Sequence, residues 1–128
     1  ITVKTADCLP IIIAHPYPLV AVIHAGRKGT QKRITENVIQ YIHSKFGIAS
    51  HLTIWLGPAI CVNCYEVDQK THTHYDLRHE NISQIHSSTI EPNIIHSPYC
   101  TACHSHTFFS YRKGDLINRL YTTALLSC

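Results

Sequence analysis

Apolar residues along this chain follow two rhythms. Leu9 to Ile13 and Leu19 to Ile23 are near-continuous, largely β-branched runs separated by His15-Pro16-Tyr17-Pro18, the pattern of two buried strands joined by a tight connection. From Thr30 the rhythm changes: Ile34, Val38, Ile42 and Phe46 recur at every fourth position, with Ile39 and Tyr41 widening the stripe. That spacing predicts an amphipathic helix with Thr30 as N-cap, Lys45 as a cation in the last turn and Gly47 as the residue that ends it. Leu52 to Leu56 reads as a short buried strand closed by Gly57-Pro58, and Cys61 to Val67 as a loop or short turn. A second helix is expected from Asp76 through Ile82, Ile85 and Ile90, stopped by Pro92-Asn93 before a strand at Ile94-Ile95. Thr107 to Gly114 alternates bulky and polar residues and is expected to form a strand, and Leu116, Leu120 and Leu125 to mark a C-terminal helix. The first residues, Ile1 onward, also read as a strand. Together these elements predict an α+β domain with mixed β-sheets and helices packed on the outer faces.

Two strands joined as a hairpin bring their far ends together. Cys8, just before the first, and His24, just after the second, are therefore expected at one edge of the sheet although sixteen positions apart. A thiol and an imidazole so placed can share a metal, can act as nucleophile and base, or can simply pack there. Asp7 beside the cysteine and the Gly26-Arg27-Lys28-Gly29 run after the histidine, which opens a helix, favour a functional pair. Backbone N–H groups and cations in that position suit an anion such as phosphate.

Composition narrows the classes. With 128 residues, 45% hydrophobic and 15% charged, the chain can bury a core as one globular domain spanning 1–128. Its formal charge of +3 is modest, and the eleven Lys and Arg residues are scattered apart from Arg27, Lys28, Lys32 and Arg33; a nucleic-acid partner is not expected. No apolar run reaches the length of a membrane span, so no membrane partner is expected either. Six cysteines in a chain with a good apolar fraction do not require a disulfide framework, and a reducing, cytoplasmic compartment is expected.

Several cysteine and histidine motifs compete. Cys61-x-x-Cys64 and Cys100-x-x-Cys103 form a CxxC…CxxC pattern, but thirty-five residues lie between the pairs, with predicted helix among them, and neither pair carries a knuckle glycine. The spacing therefore argues against a structural zinc there. Cys100-x-x-Cys103-His104 matches a covalent haem motif too short to be specific. His72-x-His74 and His104-x-His106 are two of the four histidine pairs that a multicopper oxidase needs.

The strings TADCLPIII, VAVIHAGRKG, LGPAICVNCYEVD and CTACHSHTFFSYRKGD, in that order, resemble the YfiH family of laccase-domain proteins. The resemblance implies a layered α/β/β/α fold, a zinc site of one cysteine and two histidines (zinc rather than copper), and phosphorolysis of purine nucleosides such as adenosine, inosine and guanosine, with adenosine deamination as an accompanying activity. Purine nucleoside and phosphate are the implied partners. Cys8 falls on the cysteine and His24 on one histidine of that site, giving both a metal-binding and a catalytic role. The other histidine belongs to a motif that would precede Ile1, so the domain is expected to be missing an N-terminal portion. Lys28, Tyr65 and Arg112 are the implied substrate-binding residues, with Glu66 beside them. Where the family has HAGWRG this chain has HAGRKG, replacing a tryptophan by Arg27 and an arginine by Lys28. The family's helical insertion after Asp68 is reduced to Gln69–His74. Two rivals stand beside this reading: a metal-free cysteine hydrolase using Cys8 and His24, and a truncated protein that only binds partners.

Overall fold

The computed structural model describes residues 1–88 and 90–127. Its centre is a four-stranded mixed sheet in the order Leu19–Ala25, Leu9–His15, Thr53–Leu56, Asn93–His96. The two apolar runs form β2 (Leu9–His15) and β3 (Leu19–Ala25), paired antiparallel with Leu9 opposite Ala25 and His15 opposite Leu19. β4 (Thr53–Leu56) adds antiparallel to β2, and β7 (Asn93–His96) adds parallel to β4 after a helical crossover. Alternation sends Leu9, Ile11 and Ile13 of β2, Ile23 and Ala25 of β3, and Ile54 and Leu56 of β4 into the core. Each fully buried Ile or Leu contributes about 1.5–3 kcal/mol of transfer free energy.

The helices cover that face. The predicted stripe forms α2 (Ile34–Phe46), whose Ile39 and Ile42 are buried in the same core. Tyr41 and Phe46 are instead 59% and 49% exposed and pair edge-on with each other. Thr30 is not the cap of this helix. It sits in a separate short helix, α1 (Arg27–Gln31), and the chain then turns through Arg33 in the left-handed region (φ 58°), which precedes α2 and pairs with Glu36. Gly47 ends α2 as expected, at φ 68°. α3 (Leu77–Ser87) starts at Asp76, whose carboxylate accepts the His79 N–H at 2.9 Å.

Thr30 has a different task, in a polar network between the helices. The Asn81 amide donates to the Thr30 hydroxyl (3.0 Å) and to the Leu77 carbonyl (2.7 Å), and its oxygen accepts from the Thr35 hydroxyl (2.6 Å). Gln84 donates to the Thr30 carbonyl at 2.8 Å. All four side chains are buried, and a satisfied network of this kind fixes helix register where apolar contacts alone would slide.

The last third departs from the pattern. No helix spans Leu116, Leu120 and Leu125: Leu120–Thr123 is a strand, β8, antiparallel to β1 (Thr2–Thr5), while Leu116 and Leu125 are 63% and 83% exposed. Three leucines at unequal spacing give no continuous helical face, and Tyr121-Thr122-Thr123 has the β-branched and aromatic character of a strand. Thr107–Gly114 is likewise not a strand but a succession of turns. Among the described residues no ladder partner reaches it, and its backbone is held by Ser110 and, across the molecule, by Asp7. Around Asp68 the chain forms a small hairpin of β5 (Glu66–Asp68) and β6 (Thr73–His74), with residues 69–72 as its turn.

Candidate functional site

The expected meeting of Cys8 and His24 follows from the hairpin register. Pro10 stands opposite His24 and Leu9 opposite Ala25, so Cys8, two residues before Pro10, lies on the same face as His24. Between them is Gly26. A Cβ there would stand 3.0 Å from the Cys8 sulfur and 3.8 Å from His24 Nε2, so sulfur and nitrogen are separated by no more than the sum of those distances and converge on one small space. A glycine at this position leaves that space free. His24 is exposed and Cys8 half-buried. Burial, and then the neighbouring Asp7 carboxylate, push the Cys8 thiol above its ordinary range.

Asp7 organises the surroundings. It turns the chain from β1 into β2 at φ 83°, a left-handed conformation that Asp tolerates better than most residues. Its buried carboxylate accepts the Thr101 hydroxyl at 2.7 Å and the Arg112 backbone N–H at 2.7 Å, and its carbonyl accepts the Ile60 N–H at 2.9 Å. One residue thus ties the strand end carrying Cys8 to both loops that approach it, through its side chain to Thr101 and Arg112 and through its backbone to Ile60. Its position beside the cysteine was the only sign of this in the sequence.

Those loops bring Tyr65 and Arg112 together. The Arg112 guanidinium lies over the Tyr65 ring, 5.4 Å from its centroid, a cation–π arrangement. With Arg27, Glu66, Val67 and Gln69 they line an open cleft of about 310 Å³. Burial raises the Tyr65 hydroxyl pKa, the nearby Cys8 adds to that, and the Arg27 and Arg112 charges oppose it. Lys28, expected at the rim, is exposed on α1 and is not among the cleft-lining residues; Arg27 takes that place. Glu66 also bonds to His72 Nδ1 at 2.8 Å.

A second constellation is one that spacing had argued against. Cys61, Cys64, Cys100 and Cys103 place their four sulfurs within 4.8 Å of one another, a set that could hold one metal ion. The Cys64 and Cys103 sulfurs are 3.5 Å apart and those of Cys61 and Cys103 3.9 Å. The Cys61 and Cys103 N–H groups both point at the Cys100 sulfur, at 3.2 and 3.4 Å. Although burial works against it, these N–H bonds bring the Cys100 thiol down to about 7. The thirty-five residues between the pairs form β5, β6, α3 and β7, and that folded excursion returns the second pair beside the first. His104 stays outside the set, its Nδ1 3.0 Å from the Cys100 carbonyl and its ring edge-on to Tyr99.

A mixed sheet covered by helices on its core face, with a thiol–imidazole pair at one end of its hairpin and a set of four thiols that could hold a metal ion, defines an α+β domain. Comparison with known proteins gives the family. A family model described as multi-copper polyphenol oxidoreductase laccase matches residues 1–74 and 68–125. The adenosine deaminase RL5 of an unknown prokaryotic organism is 31% identical over 88% of this chain and 52% of its own length. The purine nucleoside phosphorylase YfiH of Shigella flexneri is 28% identical over 92% of this chain and 56% of its own. Among solved structures, the Bacillus licheniformis hypothetical protein YfiH superposes with a TM-score of 0.83 at 25% identity, over 94% of this chain and 55% of that one. YlmD from Geobacillus stearothermophilus gives 0.82 at 26%, over 94% and 54%. The chain belongs to the YfiH family of laccase-domain proteins. It spans about half the length of the curated relatives it matches.

Proposed function

We propose that this chain carries part of the active site of a zinc-dependent purine nucleoside phosphorylase, with Cys8 and His24 as ligands of the catalytic metal. The observation behind this reading is the convergence of the Cys8 sulfur and His24 Nε2 on the space left by Gly26. A thiolate and an imidazole suit zinc, and relatives named purine nucleoside phosphorylase or adenosine deaminase favour nucleoside chemistry. When bound, zinc at such a site supplies Lewis acidity and an activated water, which serves deamination directly. The protein's own contribution is positioning. Arg112, held through its backbone by Asp7, and Arg27 present cations on the cleft for phosphate or ribose oxygens, and Tyr65 offers a ring against which a purine can stack. Lys28, exposed nearby on α1, acts as a further cation for phosphate. A metal-free cysteine hydrolase needs the Cys8 thiolate with no metal ion to displace its proton, and burial and Asp7 oppose that ionisation. The five free cysteines among the described residues suit a cytoplasmic, reducing setting.

The test uses the whole natural protein. Release of free base from inosine or adenosine is expected only when phosphate is supplied, and Cys8→Ala should remove it. Equal release without phosphate would mean hydrolysis and refute phosphorolysis.

A further inference from the structure

We infer that Cys61, Cys64, Cys100 and Cys103 form a second metal site, a tetrathiolate zinc centre whose role is to clamp the two substrate-facing loops together. It is independent of the metal proposed at Cys8 and His24: the Cys8 sulfur is not part of the four-sulfur set.

The geometry fits one ion. Four sulfurs about 2.3 Å from a tetrahedral zinc are separated by about 3.8 Å. Here two of the separations are 3.5 and 3.9 Å, and all four sulfurs lie within 4.8 Å of each other. Clusters bridged by inorganic sulfide hold their cysteines further apart than a single ion does, and an all-sulfur tetrahedral set selects zinc over the oxygen-seeking cations. The N–H groups of Cys61 and Cys103 directed at the Cys100 sulfur are the outer bonds a thiolate ligand requires. Binding releases four thiol protons to solvent and leaves a tetrathiolate zinc centre of net charge −2, part of which the Cys61 and Cys103 N–H groups on the Cys100 sulfur offset.

The location gives the role. The first pair sits on the loop with the 3-10 turn Val62–Cys64, immediately before Tyr65, and the second opens the run of turns that leads to Arg112. Between the two loops the backbone makes an isolated bridge, Ala59 with Cys100, and the Thr101 N–H bonds to the Ala59 carbonyl at 3.2 Å. Neither loop is in a ladder of regular structure at this point. A metal here supplies the cross-link that a sheet would give elsewhere, holding the Tyr65 ring under the Arg112 guanidinium.

The experiment is metal analysis with sulfur and nitrogen counting, on protein purified under reducing conditions. In Cys8→Ser/His24→Ala, close to one zinc per chain should remain, and X-ray absorption at the zinc edge should show sulfur neighbours only, near 2.3 Å. In Cys64→Ser/Cys103→Ser, one equivalent should be lost relative to the parent. Chelation of the Cys8→Ser/His24→Ala protein should increase proteolytic cleavage within residues 57–68 and 97–115. This last measurement requires no substitution at the four cysteines, so misfolding of the double serine variant leaves the inference testable. Absence of zinc from the Cys8→Ser/His24→Ala protein, nitrogen or oxygen neighbours in its spectrum, copper or iron in place of zinc, or a Cys64–Cys103 disulfide in peptide maps would each overturn it. Failure of phosphorolysis with this zinc retained would count against the nucleoside reading alone.

Discussion

Replacing Asp7 should separate the site's scaffold from its chemistry. Asp7→Ala removes the acceptor for the Thr101 hydroxyl and the Arg112 N–H, two bonds of 2.7 Å to a buried carboxylate. Hydrogen bonds to charged groups contribute about 1.5–3 kcal/mol each. Thr101 is fully buried and cannot turn to water, so its loss is felt in full. Arg112 is exposed, so its N–H recovers part of its loss from solvent, and removing a buried charge returns some desolvation free energy. The expected net cost is about 3 kcal/mol. Asp7→Asn is a sharper probe. The Thr101 hydroxyl can rotate to accept from the new amide, whereas the Arg112 N–H can only donate, so Asn can settle in one orientation, with its oxygen toward Arg112. Its cost should be about 1 kcal/mol, the loss of charge assistance. Urea denaturation followed by tryptophan fluorescence reads both through Trp55. With a slope of about 1.5 kcal/mol/M, Asp7→Ala should lower the midpoint by about 2 M and Asp7→Asn by less than 1 M. An Ala variant within about 1 kcal/mol of the parent, or an Asn variant as damaged as Ala, would refute the bonding scheme.

Asn81→Ala should cost about 3 kcal/mol in the same assay, because the buried hydroxyls of Thr30 and Thr35 lose their common partner and a cavity opens; an unchanged midpoint would show that the network does not couple the helices. Alkylation of Cys8 in metal-free protein should be slower than that of a free peptide thiol near about pH 8 and should accelerate above the usual thiol range, since burial and Asp7 hold the proton on. Rapid alkylation at neutral pH would revive Cys8 as a metal-free nucleophile.

What could be read from the sequence was whatever has a short period. β2, β3 and α2 announce themselves because their apolar residues repeat at strand or helix spacing, and the meeting of Cys8 with His24 follows from one hairpin; α3 starts at the expected Asp76 but ends at Ser87, before Ile90, and half of its buried positions are the polar Asn81 and Gln84. The C-terminal third has no such period. Its backbone is held by Asp7, 105 positions from Arg112, and by a backbone bridge at Cys100 to residues on the far side of a helix and three strands. Interactions of that range leave no periodic trace, which is why Thr107–Gly114 looked like a strand and Leu116–Leu125 like a helix. The cysteine spacing misled for the same reason: it counted residues between the pairs without the fold that brings them back. Arg27 was legible as one cation of the Gly26-Arg27-Lys28-Gly29 run and as a departure from the family's tryptophan, but nothing in the sequence set it rather than Lys28 on the cleft.

The β1–β8 ladder joins Thr2 to Thr123, 121 positions away, and this bears on the order in which the molecule assembles. The β2–β3 hairpin closes across three residues and can form early, whereas the ladder must wait until everything between its strands is compact, because loop-closure entropy is charged against it in full. Only four residue pairs hold this ladder, and short ladders of that kind belong to the less stable parts of a fold. When β1 lifts away, the turn at Asp7 keeps only its bonds to Ile60, Thr101 and Arg112, with Cys8 next to it in the chain. Opening of this ladder is expected to raise hydrogen exchange in β1 and alkylation of Cys8 together.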